Sequence, residues 1–263
     1  MQVADQASLR TGRVTREELS RHLAEFLSIR RFKDVAPNGL QVEGANLILN
    51  IVVGVTANQA FIDEAIAAGA DTIIVHHGVF WKGDDPRIVG FHRQRLARLI
   101  NHNMNLFAYH LPLDAHPELG NNIELARKLS FTRARVVGES ELMMMGELGN
   151  GVKTSCQLLA AFVARRFNGR AVLYASSTRL MQNIAWCTGA GGSLLQEAIN
   201  AGADAFITGE ISEHHIHVAR ESNVALIAAG HHATERGGIA ALGRYLVNRY
   251  DIRCQFIDVD SPL

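Results

Sequence analysis

The stretch NIVVGVTANQAFIDEAIAAGADTII, residues 50–74, recurs later in the chain as NIAWCTGAGGSLLQEAINAGADAFI, residues 183–207. The two copies align without a gap, and 11 of their 25 positions are identical. Each copy reads as an apolar strand, a turn, a helix, the tetrapeptide Ala-Gly-Ala-Asp and a second strand. Any two strand–helix–strand units share some likeness, but an ungapped match of this density favours a true duplication.

The pattern on both sides of the repeat sets the predicted domain organisation. Strands that alternate with helices predict an α/β fold, and the duplication predicts two related α/β/α halves with largely parallel sheets. We expect a polar N-terminal lead-in at residues 1–14, a first half at 15–130 and a second half at 131–263.

Composition restricts the class of protein. Lysine plus arginine balance aspartate plus glutamate, 26 against 26, which disfavours nucleic acid or acidic membranes as bulk partners without excluding a local basic surface. The cysteines match no zinc or redox spacing, so we expect reduced thiols in a cytoplasmic protein; they are Cys156, Cys187 and Cys254. No apolar run approaches the roughly 20 residues that span a bilayer.

Three segments that follow predicted strands contain most of the metal-ligating side chains. They are VHHGVFW (75–81), YHLPLDAH (109–116) and GHHATERGG (230–238). Ligands of open parallel α/β sheets bind outside the carboxyl ends of the strands, so these segments are expected to meet in one cleft. The two halves also align His110 with His231 and Asp114 with Glu235. Each histidine precedes its carboxylate by four residues, a spacing that places both on one face of a helical turn.

A second pair of histidines adds two further nitrogen donors. His76 and His77 can serve one site only if the strand ends there and the chain turns, which Gly78 permits. Imidazole and carboxylate together suit zinc, manganese, iron, cobalt or nickel. The donors exceed what one tetrahedral ion needs, which favours two ions. The alternatives are a single ion, or histidines that are polar residues satisfied without any ion.

Two further features are weaker candidates. Glu210 aligns with His77 and can face the same cleft, whereas the histidines after it, in GEISEHHIH, fit a polar helix face. The loop Gly189–Gly192 lies at a strand-to-helix turn, where backbone amides can hold a phosphate, but so short a glycine motif leaves its role open. Trp81 either lines a pocket beside the metals or packs in the core.

Several longer motifs resemble one known family, and they run from about residue 15 to the end of the chain. They are DVAPNGLQVEG (34–44), GADTIIVHHGVFWKG (69–83), YHLPLDAHPELGNN (109–122), GADAFITGEISE (202–213) and AAGHHATERGG (228–238). All are similar to motifs of the GTP cyclohydrolase 1 type 2 homologs, the Ngg1-interacting-factor-like family, and especially of its short bacterial members, which are dinuclear metal proteins of the radiation-resistance type.

This resemblance implies a duplicated α/β fold and a metal cleft between the halves, with two divalent ions per subunit. It also implies a toroidal homohexamer whose metal sites face the interior. The family's metal ligands correspond to His76, His77, Asp114, His231 and Glu235, while His110 and His232 match positions beside the metals. Longer members carry an inserted domain in mid-chain, for which residues 130–150 are too short.

The resemblance leaves the activity open, because fold and metal site do not fix a substrate. The family name implies hydrolytic opening of a guanine nucleotide ring, and bacterial members are associated with protection from DNA damage, through removal of damaged nucleotides. Cyclohydrolases of the first type use a Cys/His zinc site that these cysteines do not reproduce. We therefore expect a metal-dependent hydrolase of nucleotide-like or other phosphorylated small molecules, with catalytic residues unassigned. The alternative is a non-catalytic, metal-binding regulatory or scaffold protein.

Overall fold

The computed structural model describes residues 12–149 and 151–262. Most of the predicted N-terminal lead-in, residues 1–14, lies outside these ranges. Its last residue, Val14, is buried and pairs with Ile48 in a short antiparallel ladder.

The chain up to residue 109 contains the first copy of the repeat, which forms β4, α2 and β5, and further strands and helices on both sides of it. The strands are β1 (Val14–Thr15), β2 (Gly39–Val42), β3 (Leu47–Ile48), β4 (Asn50–Thr56), β5 (Thr72–His77) and β6 (Asn105–Ala108). The helices are α1 (Arg16–Phe26), α2 (Gln59–Ala67) and α3 (Gly90–Asn101).

The remaining elements follow in the chain from residue 111 to residue 256. The helices are α4 (Leu111–Asp114), α5 (Asn121–Lys128), α6 (Cys156–Arg166), α7 (Leu195–Asn200), α8 (Glu213–Glu221) and α9 (His231–Tyr250). The strands are β7 (Phe131–Val137), β8 (Met143–Leu148), β9 (Val172–Ala175), β10 (Asn183–Cys187), β11 (Ala205–Thr208), β12 (Ala225–Ala228) and β13 (Arg253–Phe256). Short 3₁₀ turns occur at Ile29–Arg31 and Gly191–Leu194.

The described residues pack into two compact units. Unit 1 comprises the residues up to Tyr109 together with Ala240–Asp258, and unit 2 comprises His110–Ile239 together with the residues from Val259. Packing defines these units, whereas the sequence repeat defines the predicted halves 15–130 and 131–263. How far the duplication extends beyond the repeat itself stays a prediction.

Unit 1 is built on a five-stranded sheet with the order β13-β4-β5-β6-β2. The first three pairings are parallel, and β2 is antiparallel to β6. The central strand β5 is buried over five of its six residues, the pattern of a parallel strand covered on both faces. The helix between β4 and β5, α2, is capped by Asn58, whose side chain accepts a hydrogen bond from the N–H of Phe61 at 2.9 Å.

Unit 2 is built on a six-stranded sheet with the order β7-β8-β10-β11-β12-β9. Its centre, β10-β11-β12, is parallel and contains the second copy of the repeat. The other three pairings are antiparallel, so the prediction of largely parallel sheets is wrong for this unit, and both sheets are mixed. The hairpin of β7 and β8 accounts for one of these pairings, since so short a connection joins only antiparallel strands.

The core of unit 2 packs around Trp186 of β10, which is fully buried and lies 4.9 Å from the ring of Phe131. The indole N–H donates to the carbonyl of Asn122 at 2.9 Å, so its polar atom is satisfied within the core. None of the helices in residues 12–149 and 151–262 is both long and apolar enough to cross a bilayer.

Candidate metal centre

His110 and Asp114 of unit 2 occupy the single helical turn that follows β6. His110 is the N-cap of α4, and Pro112 lies in its first turn, where a missing N–H costs nothing. The backbone N–H of Asp114 donates to the carbonyl of His110 at 3.2 Å. The turn therefore has the four-residue spacing predicted from the sequence, and it leaves Asp114 only 7% exposed.

The carboxylate of Asp114 is held by two neutral donors. Asn121 Nδ2 donates to Asp114 Oδ1 at 2.9 Å, and Thr188 Oγ1 donates to the same oxygen at 3.1 Å. The backbone N–H of Gly238 in turn donates to Asn121 Oδ1 at 2.8 Å, which orients the amide. Because Asp114 accepts both hydrogen bonds, the contacts stabilise its ionised form. The network fixes the direction of this carboxylate.

His231 and Glu235 lie on the first turns of α9. His231 Nε2 is 3.2 Å from Glu235 Oε2, and His231 Nδ1 is 3.2 Å from Glu210 Oε1. The structure thus places Glu210 beside a predicted ligand. Burial lowers the pKa of His231, but the carboxylates of Glu235 and Glu210 outweigh burial and raise this pKa to about 9. A metal ion that binds the imidazole must displace its proton.

Gly189 forms the floor beneath Glu235. Its φ of +64° lies in the left-handed region, and a Cβ added there would lie 2.0 Å from Glu235 Oε1. The loop is anchored by its own backbone: the N–H of Gly189 donates to Thr234 Oγ1 at 3.0 Å, and its carbonyl accepts from Gly209 and Glu210. The glycine therefore permits a close approach to the carboxylate as well as a tight turn.

These side chains line one pocket of unit 2, with a volume of about 230 Å³. Each of His110, Asp114, His231 and Glu235 carries a donor atom that belongs to a metal-capable group of histidine and carboxylate ligands. Asp114 and Glu235 are buried, at 7% and 3% exposure, and a buried carboxylate requires compensation of its charge. The donor set of imidazole nitrogens and carboxylate oxygens fits a borderline divalent metal ion.

His76 and His77 of unit 1 end β5 side by side. Their ring centroids are 4.5 Å apart, as expected if the strand ends at His77 and the chain turns at Gly78. His76 is fully buried, and its Nδ1 lies 2.9 Å from the carbonyl of Tyr109. A carbonyl only accepts, so Nδ1 carries the proton and Nε2 the lone pair, which is the usual preparation of a metal-binding histidine. Both histidines carry donor atoms of metal-capable groups.

The other residues that the sequence singled out have different contacts. Trp81 is half-buried, 5.7 Å from the ring of His77. His232 is half-buried and contributes to lowering the pKa of Asp260, a shift caused mainly by the hydrogen bond from Arg170. On α8, His217 Nε2 lies 2.6 Å from Glu213 Oε1, and His215 Nδ1 accepts from the N–H of Ser212. Both of these contacts are local to α8 and its first turn.

A larger groove lies elsewhere, on unit 1. It measures about 810 Å³ and runs along the exposed side of α1 among arginines and glutamates, including Arg16, Arg21 and Glu25. None of the predicted metal ligands lines it, and its lining shows no such donor set among the described residues. The pocket of unit 2 is smaller, but histidine and carboxylate side chains that can bind a metal ion line it.

Comparison with known proteins identifies the family of this chain. Residues 14–262 match the model of the family Duf34/NIF3 (NGG1p interacting factor 3). A GTP cyclohydrolase 1 type 2 homolog of Escherichia coli K12 is 50% identical over 248 residues, which cover 93% of this chain and 98% of the relative. A homolog of Pseudomonas aeruginosa is 46% identical over 243 residues, covering 90% of this chain and 94% of that protein. This chain belongs to the NIF3 family.

Two solved structures share this fold. The structure of protein ybgI superposes with a TM-score of 0.91 at 46% identity, covering 95% of this chain and 100% of that one. TTHA1606 from Thermus thermophilus superposes with a TM-score of 0.86 at 33% identity, with 95% and 100% covered. The NIF3-type α/β fold is thus shared along nearly the whole chain, and in this chain it carries a metal-capable group of histidine and carboxylate side chains.

The sequence analysis missed the residues that position Asp114, a predicted ligand of this NIF3-family chain. Asn121 and Thr188 hold Asp114, and Asn122 Oδ1 accepts from the N–H of Thr188 at 3.0 Å. The signal in the sequence was the adjacent pair Asn121–Asn122, and the structure shows both residues buried. Two buried amides in succession require partners, which is a sign of a polar network rather than of ordinary helix packing.

Proposed function

We propose that this chain is a metal-dependent hydrolase acting on nucleotide-like or other phosphorylated small molecules. The observation that carries the proposal is the pocket of unit 2, where two buried carboxylates and two imidazoles lie together. A purely structural metal site is closed by its protein ligands, whereas a catalytic site keeps room for a substrate. The 230 Å³ beside these donors supplies such room.

We propose His76, His77, Asp114, His231 and Glu235 as ligands of two divalent ions, the set that the family resemblance implies. The hydrogen bond from His76 Nδ1 to Tyr109 and the two donors on Asp114 support this assignment, because both orient a ligand atom in advance. When bound, such ions supply Lewis-acid polarisation and lower the pKa of water.

Residues of this chain then hold the carboxylate of Asp114 in position and transfer the proton of the reaction. Thr188 and Asn121 fix Asp114, so that the carboxylate does not rotate during turnover. Glu210 is more exposed than the other carboxylates, at 42% for its side chain, and its Oε1 lies 3.2 Å from His231 Nδ1. This position suits a group that receives a proton at Oε1 and passes it to solvent. His110, which is half-buried in the same pocket, is the second candidate for this role.

The decisive experiment is a metal-defined hydrolysis screen over nucleotides, damaged nucleotides and phosphoesters. Wild type is compared with Asp114→Asn, Glu235→Gln and their double variant, and with Asp84→Asn at an exposed position as the matched control. Turnover and metal content should fall together in the three site variants and stay unchanged in the control. Full activity in a metal-free double variant would refute the proposal. Metal-saturated wild type without turnover on any substrate would favour the regulatory or scaffold function instead.

We also propose the homohexamer that the family resemblance implies. Unit 1 supports an interface with its exposed apolar side chains Ile88, Val89 and Phe91, which are 57%, 56% and 69% exposed. Analytical ultracentrifugation should give a particle of six 28.8 kDa chains. A monomer at micromolar concentration would contradict this assembly.

A further inference from the structure

The loop before β2 in unit 1 is held by hydrogen bonds within itself. Asp34 Oδ1 accepts from the backbone N–H groups of Val35 and Ala36 at 2.7 and 3.2 Å, and Asp34 Oδ2 accepts from Asn38 Nδ2 at 2.9 Å. An aspartate that bonds to the backbone two residues on stabilises a turn without regular secondary structure. The motif DVAPNGLQVEG, residues 34–44, therefore builds a fixed support directly ahead of Gln41.

Gln41 is the extra residue of a β-bulge in β2. Its neighbours Leu40 and Val42 pair with consecutive residues of β6, so β2 advances by two residues where β6 advances by one. Bulges redirect side chains and are common beside functional sites. Here the half-buried side chain of Gln41 reaches the chain just after β5, the strand that ends at His77.

The amide of Gln41 uses both of its ends. Its Oε1 accepts from the backbone N–H of Val79 at 2.9 Å, and its Nε2 donates to the carbonyl of Pro37 at 2.9 Å. Val79 is only 6% exposed, so loss of this acceptor would leave a buried N–H to be satisfied. Only an amide side chain supplies an acceptor to one partner and a donor to the other in this way.

Gly78 leaves the space that this amide occupies. A Cβ at Gly78 would lie 2.2 Å from Gln41 Oε1 and 2.6 Å from both Cδ and Nε2. Gly78 does not have a positive φ, so the close approach, rather than the backbone conformation, requires glycine here. The amide therefore lies directly against the backbone of the residue that follows His77.

The backbone around His77 is held from two directions. From β4, the N–H of Ala57 donates to the carbonyl of His77 at 2.9 Å, and Thr56 Oγ1 lies 3.0 Å from His77 Nδ1. From the loop before β2, the carbonyl of Val35 accepts from the N–H of Lys82 at 2.7 Å, which adds a second bond between this loop and the turn after β5. The loop thus fixes the turn, while β4 fixes the strand end.

We propose that Gln41 is a positioning residue for the metal ligand His77: its amide fixes the turn at Gly78 and thereby directs the imidazole of His77 towards its ion. The inference rests on the proposed function in taking His77 as a ligand. Gln41 acts through the backbone of Gly78 and Val79, and it gives the loop before β2 a task in metal binding.

The test compares substitutions that keep or remove the acceptor. Gln41→Met keeps the length of the side chain without the amide, Gln41→Glu keeps an acceptor for Val79, and Gln94→Met at an exposed position of α3 is the matched control. Competition with a chelator measures the dissociation constant of Co²⁺, and the absorption spectrum of bound Co²⁺ reports its coordination geometry. NMR of the metal-free proteins at constant pH compares the ring resonances of His77, assigned through His77→Gln. Urea denaturation confirms that each variant is folded.

Gln41→Met should weaken Co²⁺ binding by roughly 10–100-fold, the usual effect of losing a group that orients a ligand. It should also change the Co²⁺ spectrum and shift the ring resonances of His77. Gln41→Glu should recover most of the affinity together with the ring resonances, and the resonances separate this rescue from the effect of the added charge. Gln94→Met should behave as wild type.

A double-mutant cycle tests the route through Gly78, and it decides the question even if Gln41→Met fails to fold. Gly78→Ala should weaken Co²⁺ binding in wild type, because its Cβ displaces the amide, and should have little further effect in Gln41→Ala, where the space is empty. Equal losses in both backgrounds would overturn the inference.

Two further results would also overturn the inference: wild-type affinity and spectrum in folded Gln41→Met, or a wild type that binds no ion. If wild type binds ions but hydrolyses no substrate, the hydrolase is refuted and the positioning role of Gln41 stands on the affinities and resonances. If wild type hydrolyses a substrate and Gln41→Met keeps its full affinity and spectrum, the inference alone fails.

Discussion

The carboxylate of Asp204 anchors the first residue of β10, because its Oδ2 accepts a hydrogen bond from the backbone N–H of Asn183 at 2.9 Å. The same oxygen accepts from Gln182 at 3.1 Å. In unit 1 the equivalent Asp71 binds Asn50 and Leu49 through Oδ2 at 2.9 and 2.7 Å. The Asp of each Ala-Gly-Ala-Asp tetrapeptide therefore performs the same task. This explains in physical terms why the repeat keeps an Asp near its end.

Removal of either aspartate should destabilise its unit. Asp204→Ala and Asp71→Ala each delete an ionised acceptor of two backbone N–H groups, and we expect each to lower the free energy of unfolding by about 2 kcal/mol. Urea denaturation followed by circular dichroism measures the loss. Asp84→Ala, at an exposed loop position, is the control and should change stability by less than about 0.5 kcal/mol. If Asp204→Ala and Asp71→Ala are as stable as Asp84→Ala, water satisfies the released backbone N–H groups as well as the aspartates do.

His22 should make the stability of unit 1 depend on pH. Its Nε2 lies 2.8 Å from the hydroxyl of Tyr245, and its ring stacks 5.8 Å from Phe26. Burial, followed by the charge of Arg249, lowers the pKa of His22, although Glu25 and Glu18 oppose the shift. The folded state thus binds the proton more weakly than the unfolded state. The contribution to stability is complete above the unfolded pKa of 6.5 and is lost as pH falls from there through the lowered folded pKa.

Replacement of His22 by Phe should remove this pH dependence. Denaturation of wild type and His22→Phe at a series of pH values between about 7.5 and 5 gives the difference in unfolding free energy. We expect this difference to be constant above the unfolded pKa of 6.5 and to shift in favour of the variant below it. His102→Gln, at an exposed position on the far end of α3, is the control and should show no such shift. A difference that is flat over the whole range would contradict the lowered pKa of this half-buried imidazole.

Thr188 should control metal affinity without being a ligand. Thr188→Val keeps the shape of the side chain but removes the hydroxyl that donates to Asp114 Oδ1 at 3.1 Å. Loss of a group that orients a ligand typically weakens metal binding by roughly 10–100-fold. Competition with a chelator measures the dissociation constant. Thr178→Val, at an exposed site bonded to Asn223, is the matched control and should leave it unchanged. Unaltered affinity in Thr188→Val would show that Asn121 alone orients the carboxylate.

The local features of the fold were predictable, because they depend on periodicity and on turn chemistry. Both copies of the repeat form the expected strand, helix and strand, and β5 ends at His77 as the pair of histidines requires. The strand β13 was not predictable in this way: it pairs in parallel with β4, from Arg253 opposite Asn50, although most of the chain separates them. No local pattern specifies such a partner.

The same distinction applies to the candidate site. The spacing of His231 and Glu235 on one helix is a local property, and the 3.2 Å between Nε2 and Oε2 confirms that the two side chains face each other. The hydrogen bond from Thr188 to Asp114 joins residues 74 positions apart. A threonine in a glycine-rich loop has many ordinary roles, so only the folded structure identifies this partner.

Gly189 and Gly202 are glycines for different reasons. Gly202 is needed for its positive φ alone, whereas Gly189 combines a positive φ with a close approach of Glu235. Both have positive φ, +64° and +80°, but a Cβ at Gly202 would meet nothing within 4 Å, whereas one at Gly189 would lie 2.0 Å from Glu235 Oε1. Gly202→Ala should therefore cost only the backbone strain, about 1 kcal/mol, and leave metal content intact. Gly189→Ala should carry the same strain and also displace Glu235, so that bound metal measured by mass spectrometry falls in the folded variant. If both variants keep their full metal content, the approach of Glu235 to the loop is not needed for binding, because the carboxylate then reaches its ion from another position.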